Sequence, residues 1–142
     1  MDFELFNTYS NKTEFFIPLD DNDIRIYACG PTVYDYIHVG NARPLIIFDV
    51  LVRFLKLIYP KVTYVRNITD VDDKIIVQAN QNKESINNLT ERTIKAFSDD
   101  ADALFVKKPD FEPRATEHIQ EMLKMIKVLL ESGNAYLSDG HV

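Results

Sequence analysis

A short apolar run, Ile24-Arg25-Ile26-Tyr27-Ala28-Cys29, stops at the breaker pair Gly30-Pro31 and is followed by a helical pattern. The run is rich in β-forming residues and predicts a strand, and the Gly-Pro pair predicts where that strand ends. Over residues 41–59, apolar side chains recur every three or four positions, which predicts a helix. Over residues 61–68 the side chains alternate in character, which predicts a second strand. This order predicts the start of a parallel sheet covered by helices.

The rest of the chain continues the pattern of an α/β protein. Helices are predicted over residues 70–79, after a capping Ser85, and from about Pro113 to a stop at Gly133. The apolar stripe of the last helix is interpreted as core packing, and it comprises Ile119, Met122, Leu123, Ile126, Leu129 and Leu130. A further strand is predicted at residues 135–137, before a hairpin turn at 139–140. A chain that ends inside a hairpin is expected to be part of a longer protein.

Composition and charge narrow the possible functions. The chain has 142 residues, about one domain, and its 46% hydrophobic and 27% charged content excludes wholesale disorder. A net charge of −6 and a pI near 5.0 argue against a surface that grips a polyanion, so no DNA partner is expected. No apolar run reaches the roughly 18 residues of a membrane span, and the acidic N-terminus is unlike a signal peptide. We therefore expect a cytoplasmic protein with no membrane partner.

Most of the candidate functional residues lie in the loop between the first predicted strand and the first predicted helix. This loop falls at the carboxyl edge of the sheet and leads into a helix N-terminus, a combination that suits phosphate. His38 and Asn41 are predicted to point from the same side of the first turn and to donate hydrogen bonds to a nucleotide, and Gly40 leaves room for it. The alternatives are local: His38 bonds to backbone at the helix start, and Gly40 relieves crowding there.

Three blocks of this chain together resemble cysteinyl-tRNA synthetases, which are class I aminoacyl-tRNA synthetases. The first block holds Cys-Gly-Pro-Thr-Val-Tyr-Asp at residues 29–35 and His-Val-Gly-Asn at 38–41, which is similar to the class signature His-Ile-Gly-His. Asn41 departs from that signature, because an amide keeps a donor but carries no transferable proton. The other blocks are Tyr-Val-Arg-Asn-Ile-Thr-Asp-Val-Asp-Asp-Lys at 64–74 and Asp-Phe-Glu-Pro-Arg-Ala-Thr-Glu-His-Ile at 110–119.

The resemblance implies an ATP-dependent ligase that works in two steps. The carboxylate of cysteine attacks the α-phosphate of ATP, giving cysteinyl-adenylate and pyrophosphate, with magnesium expected beside the ATP. The cysteinyl group then passes to the terminal adenosine of tRNA(Cys), which is contacted mostly by regions absent here. The resemblance also implies a Rossmann-like, HUP-type fold. Residues 1–115 would be the first half of that nucleotide-binding domain, and residues 116–142 the start of a connective insertion.

The resemblance further assigns residues to the site. It assigns the binding of ATP and the adenylate to His38, Gly40 and Asn41. His38 and Asn41 are also expected to be catalytic. Those expected to contact the amino acid are Gly30, Thr32 and Thr69. Cys29 takes the position of the first ligand of a zinc ion, the other ligands lying beyond residue 142. Zinc binds a thiolate far better than a hydroxyl group, so it would distinguish cysteine from serine. Without the resemblance, a lone cysteine is more often a small buried residue.

Two other functions stay open on the sequence alone. The ligase that joins cysteine to an amino sugar in mycothiol synthesis shares these motifs. A non-catalytic nucleotide-binding module is expected instead if these residues are the complete protein, because the second ATP motif, Lys-Met-Ser-Lys-Ser, is absent. For the acidic run Thr69-Asp70-Val71-Asp72-Asp73, a capped helix start is the alternative to a functional role.

Overall fold

The computed structural model describes residues 3–142; Met1 and Asp2, part of the acidic N-terminus, lie outside the described residues. The protein is α/β, and a hairpin precedes the elements predicted from the sequence. The elements in chain order are β1 (Glu4–Asn7), β2 (Lys12–Phe15), β3 (Ile24–Ala28), α1 (Val39–Ile58), β4 (Val62–Arg66), α2 (Asp73–Asn82), α3 (Ile86–Ala103), a 3₁₀ helix (Ala115–His118) and α4 (Ile119–Glu131).

Strands β3 and β4 pair in parallel, and α1 forms the crossover between them. Their register joins Ile24 to Val62 at one end and Ala28 to Arg66 at the other. A core forms where the apolar stripe of α1 covers this pair, and its buried members are Ile24, Ala28, Val52, Leu55, Val62 and Tyr64. The predicted parallel strand–helix–strand unit is therefore confirmed.

After α3 the chain returns to the free edge of β4. Segment 110–115 runs parallel to that edge, with bridges from Val65 to Phe111 and from Ile68 to Arg114. The Arg66 N–H donates to the carbonyl oxygen of Phe111 at 3.1 Å, and the Ile68 N–H donates to that of Pro113 at 2.9 Å. The segment extends the parallel arrangement through isolated bridges, and within residues 3–142 each sheet has two full strands.

Helix α2 begins three residues later than predicted. Its N-cap is Asp72, whose Oδ1 accepts the Lys74 N–H at 2.8 Å. Asp70 is buried and accepts both the N–H and the Oγ1–H of Thr116, at 2.9 and 2.6 Å. The prediction that the helix begins at Asp70 is wrong, because this acid bonds to a remote segment instead of capping the helix that follows it.

Helix α3 anchors the loop that follows β3. Its predicted cap is confirmed, since the Ser85 Oγ accepts the Asn88 N–H at 3.1 Å. Thr93 is 1% exposed, and its hydroxyl group lies 2.8 Å from the carbonyl oxygen of Val33. Val33 is itself buried in a core cluster with residues of α2 and α3. The loop carrying the sequence motif is therefore held against a packed helix.

The core-packing prediction for α4 is wrong. No residue of α4 is buried, and the stripe residues Ile119, Met122, Leu123 and Leu129 are exposed. Within residues 3–142, α4 continues directly from the 3₁₀ helix, and its main contacts are with that neighbouring turn of the chain. Apolar periodicity correctly predicted a helix here, but it carries no information on whether a partner covers the stripe.

The C-terminal residues form turns without the predicted strand. Gly133 has φ 73°, and the bonds of its own N–H to Leu130 and of the next N–H to Leu129 form the expected helix stop. The turn at Asp139-Gly140 is confirmed by positive φ angles and a bridge between the residues on either side. Residues 135–137 are not a strand, so that prediction is wrong. None of the helices in residues 3–142 has the length and apolar character needed to cross a bilayer.

Candidate functional site

Two of the predicted site residues close the N-terminus of α1. His38 is the N-cap residue, in extended backbone conformation, and its Nδ1 accepts the Gly40 N–H at 3.0 Å. In return, the Oδ1 of Asn41 accepts the His38 N–H at 3.1 Å. These reciprocal bonds form a capping box. The local interpretation of His38 as a helix-start residue is therefore confirmed.

The cap also determines which atoms remain free to bind a ligand. Nδ1 of His38 accepts a hydrogen bond only while it carries no proton, so the neutral imidazole carries its proton on Nε2. Asn41 uses its oxygen in the cap, which leaves the two N–H groups of Nδ2. Both side chains are exposed at the positive end of the α1 dipole. The helix start therefore presents neutral donors that suit phosphate oxygens.

Gly40 is required by the geometry of this cap. A Cβ atom on Gly40 would lie 2.7 Å from Cε1 and 2.9 Å from Nδ1 of His38, inside normal contact distance. Because the imidazole is held by the Gly40 N–H, a side chain here would displace it. The crowding interpretation of Gly40 is confirmed, and its role in admitting a ligand stays a prediction.

The predicted amino-acid contacts lie together at the carboxyl ends of β3 and β4. The Gly30 N–H donates to Oδ1 of Asn67 at 2.9 Å, and Nδ2 of Asn67 donates to Oγ1 of Thr69 at 3.1 Å. Thr32 and Thr69 form a parallel bridge. Backbone bonds of 3.0 and 3.1 Å between Thr69 and the residues that flank Thr32 fix the loop against the end of β4.

Asn67 is a site residue that sequence reasoning missed. It lies in the second motif block, which is the only signal that could have pointed to it. Its partner Gly30 is 37 residues away, and the parallel register that brings them together cannot be read from spacing. A Cβ on Gly30 would overlap the carbonyl oxygen of Asn67, so glycine is needed for this close approach.

A small pocket of about 80 Å³ opens between the end of β3 and the first turns of α1. Cys29, Gly30 and Asn41 contribute to its lining, so Asn41 connects the helix cap to the loop after β3. The other predicted site residues, which lie outside this lining, are Thr32, His38, Gly40 and Thr69. The structure therefore brings the predicted residues together as three linked groups: the helix cap, the pocket and the Gly30–Asn67–Thr69 chain of hydrogen bonds.

Arg66 places a buried cation beside this pocket, and sequence reasoning did not identify it. Its side chain is 4% exposed, and Nε and Nη2 bond to Oε1 of Glu112 at 3.1 and 2.6 Å. The guanidinium lies 5.0 Å from the ring centroid of Phe97. Tyr64 also lines the pocket, and burial raises the pKa of its hydroxyl group while Arg66 opposes that rise. The pocket lining therefore holds a buried cation whose Nε and Nη2 are bonded to Glu112 and whose Nη1 has no hydrogen-bond partner among the described residues.

Cys29 is exposed, so the interpretation as a small buried residue is wrong. A thiolate is a soft ligand of the kind that zinc prefers, and the exposed side chain at the pocket fits that chemistry. Within residues 3–142, no three His, Cys, Asp or Glu side chains come together as a metal site. The described residues therefore offer Cys29 as a single ligand.

Cations cover the two tyrosines of the motif loop. Nζ of Lys74 lies 5.7 Å from the ring centroid of Tyr34, and the guanidinium of Arg92 lies 5.7 Å from that of Tyr36. In the part of the chain that the structure describes, neither Lys74 nor Arg43 forms an ion pair. Lys74 and Arg43 therefore lie near the α1 cap or the loop before it, and neither charge is neutralised by an ion pair.

The chain belongs to the family described as tRNA synthetases class I (C) catalytic domain, whose sequence model matches residues 15–142. It is 52% identical over 138 residues to the cysteine–tRNA ligase of Wolbachia sp. subsp. Drosophila simulans (strain wRi) and 53% identical over 138 residues to that of Gluconobacter oxydans (strain 621H). It is 54% identical over 144 residues to that of Azorhizobium caulinodans. These matches cover 97%, 97% and 100% of this chain. The resemblance inferred from the three motif blocks is confirmed.

The chain spans about 30% of the length of the curated relatives it matches. The matched part contains both ends of the parallel strand pair and the α1 cap. It therefore includes every site residue predicted from the sequence.

Proposed function

We propose that this chain carries the first part of the active site of a cysteine–tRNA ligase. The proposal is supported above all by the α1 cap, which presents its donors beside a pocket lined by an exposed thiol. In the proposed reaction, a carboxylate oxygen of cysteine bonds to the α-phosphorus of ATP as the bond to pyrophosphate breaks. A hydroxyl group of the terminal adenosine of tRNA(Cys) then attacks the acyl carbon, and AMP leaves.

The helix cap would serve the phosphates in this reaction. Nε2–H of His38, Nδ2–H of Asn41 and the free N–H groups of α1 donate to phosphate oxygens. Negative charge moves onto pyrophosphate as its bond breaks, and prearranged donors stabilise that charge. Asn41 carries no transferable proton, so its role is limited to hydrogen bonding. A magnesium ion accompanying ATP would neutralise part of the same charge.

The strand ends would serve the amino acid. Gly30, Thr32 and Thr69 lie together beside the pocket and would contact the bound cysteine. Cys29 would hold a zinc ion as one of its ligands, the other ligands coming from outside the described residues. Zinc supplies selective coordination of a thiolate, which separates cysteine from serine.

We also propose that residues 1–115 form the first half of a Rossmann-like, HUP-type nucleotide-binding domain and that residues 116–142 begin a connective insertion. The parallel β3–α1–β4 unit and the bridged segment 110–115 support the first part. The boundary is supported by α4, which has no buried residue and so is not part of the core formed by the preceding elements.

The tRNA contacts of the proposed enzyme would come mostly from other regions, which agrees with the net charge of −6 on this part. The names of the curated relatives favour tRNA over an amino sugar as the acceptor. An assay that offers both acceptors separates the two activities directly.

The test uses the protein expressed from its complete gene. We expect ATP–pyrophosphate exchange that depends on cysteine and is weak with serine, followed by transfer of cysteine to tRNA(Cys). Exchange without charging of tRNA, together with consumption of an amino sugar, would establish the alternative ligase. Absence of cysteine-dependent exchange would exclude both ligases.

A further inference from the structure

We infer that Asn67 is a positioning residue that aims the hydroxyl group of Thr69 at the amino-acid substrate. This inference rests on the proposed function and deepens it. The observation behind it is the pair of hydrogen bonds that Asn67 makes, one to the Gly30 N–H at 2.9 Å and one to Oγ1 of Thr69 at 3.1 Å.

The orientation of the Asn67 amide group is fixed by the backbone. The Gly30 N–H is a donor, so the atom of Asn67 that faces it must be the oxygen. The nitrogen therefore faces Thr69 and donates to its Oγ1. The close approach of Gly30 to the backbone of Asn67 holds both residues in this register.

The hydrogen bond from Asn67 determines the direction of the Thr69 hydroxyl proton. Because Oγ1 accepts a hydrogen bond from Asn67, its own O–H points away from Asn67 and is available as a donor. In the part of the chain that the structure describes, no hydrogen bond from this hydroxyl group to a protein acceptor is formed. Thr69 is half-buried at the sheet edge, and its backbone is fixed by bonds to the loop after β3. The hydroxyl group is thus prepared to donate to an acceptor on the amino acid, such as its carboxylate or thiolate.

Replacing the amide by a carboxylate would reverse this arrangement. In Asn67→Asp, one oxygen still accepts the Gly30 N–H, so the loop remains tied to β4. The second oxygen accepts a hydrogen bond and offers none, so it draws the Thr69 proton toward itself and away from the substrate. Asn67→Ala removes both bonds but introduces no competing acceptor. A role through Thr69 therefore predicts a larger loss of cysteine binding in Asn67→Asp, whereas a purely structural role predicts larger damage in Asn67→Ala.

The experiment is a double-mutant cycle measured by ATP–pyrophosphate exchange in the protein expressed from its complete gene. The variants are Asn67→Asp, Asn67→Ala, Thr69→Val and the two double variants, with Asn88→Asp as the matched control on an exposed face of α3. We expect Asn67→Asp to raise the KM for cysteine about tenfold, the factor for one lost hydrogen bond, with the KM for ATP changed less than about twofold. Thr69→Val should raise the KM for cysteine by a similar factor. The double variant Asn67→Asp/Thr69→Val should have the same KM for cysteine as Thr69→Val alone.

Several outcomes would overturn the inference. Additive costs in the cycle would show that Asn67 acts independently of Thr69, or that the new charge simply repels the substrate. An unchanged KM for cysteine in Asn67→Asp, or a larger rise in Asn67→Ala, would assign Asn67 a purely structural role. If the wild-type protein lacks cysteine-dependent exchange, the proposed function fails and the inference fails with it; if the wild-type protein is active, only the cycle decides.

Discussion

Nδ1 of His38 accepts the backbone N–H of Gly40 at 3.0 Å, and this one bond joins the stability of α1 to the chemistry of the site. The bond satisfies a donor of the first helical turn, and it also leaves the imidazole proton on Nε2. In the proposed site, helix capping and phosphate binding therefore use different nitrogens of the same ring. Substitutions that keep one role and remove the other can separate them.

His38→Asn and His38→Ala should differ in stability while sharing a loss of activity. Asparagine is a good N-cap residue, so His38→Asn should preserve the melting temperature, whereas His38→Ala should lose about 1 kcal/mol of folding free energy. Alanine has no donor, and the amide N–H of a capping asparagine lies closer to the backbone than Nε2 of histidine. Both variants should therefore slow cysteine-dependent ATP–pyrophosphate exchange by about 100-fold, with a smaller change in the KM for cysteine. Full activity in His38→Asn would remove His38 from the phosphate site.

Gly40→Ala should reduce activity without a matching loss of stability. A Cβ at position 40 would meet the His38 ring at 2.7 Å and displace it from the cap. The lost cap costs about 1 kcal/mol, while alanine in a helix is favoured over glycine by a similar amount, so the two effects should nearly cancel in thermal unfolding. Asn80→Ala, an exposed change in α2, serves as a control that alters helix propensity alone. Wild-type exchange kinetics in Gly40→Ala would show that the ring position does not matter.

Cys29→Ser should lower both the zinc content and the selectivity of the protein expressed from its complete gene. Serine offers a hydroxyl group where the soft thiolate stood, which is a weaker zinc ligand. Atomic absorption after dialysis measures the zinc, and ATP–pyrophosphate exchange with cysteine and with serine measures the selectivity. Equal zinc content together with equal discrimination would contradict the assignment of Cys29 as a ligand.

Stability in acid should depend on the ion pair between Arg114 and Glu91. The Arg114 hydrogen bond lowers the pKa of Glu91 from its ordinary value of 4.5, so the folded state binds fewer protons than the unfolded state near that pH. The contribution is present above pH 4.5 and is lost as pH falls through the lowered folded pKa. Glu91→Gln should therefore reduce stability at neutral pH and flatten its decline in acid, as followed by urea unfolding at several pH values.

The control for this pH experiment is Glu4→Gln, at an exposed position of β1. It should leave the acid decline of the wild-type protein intact. An identical decline in Glu91→Gln and wild type would show that other carboxylates govern acid unfolding.

The sequence was sufficient where the signal was local. The breaker pair after β3, the Ser85 cap and the Gly133 stop each depend on neighbouring residues, and the structure has them as predicted. The parallel unit was predictable because strand and helix patterns alternate along the chain. The family was predictable because three separated blocks matched in order.

Pairings between distant residues were not predictable from the sequence. Asp70 lies in an acidic run that is typical of a helix start, yet it bonds to Thr116, 46 residues away. Asn67 and Gly30 are joined by the register of a parallel pair, which no spacing reveals. The stripe of α4 predicted burial, yet none of its residues is buried in the described structure, because periodicity specifies a face and not its partner.

The most direct test is a crystal structure of the protein expressed from its complete gene, bound to a non-hydrolysable analogue of cysteinyl-adenylate. The expected result places Nε2 of His38 and Nδ2 of Asn41 within hydrogen-bond distance of the phosphate mimic, and the amino-acid group beside Cys29 and Thr69. An analogue bound away from the α1 cap, with Cys29 contacting neither metal nor ligand, would contradict the proposed site.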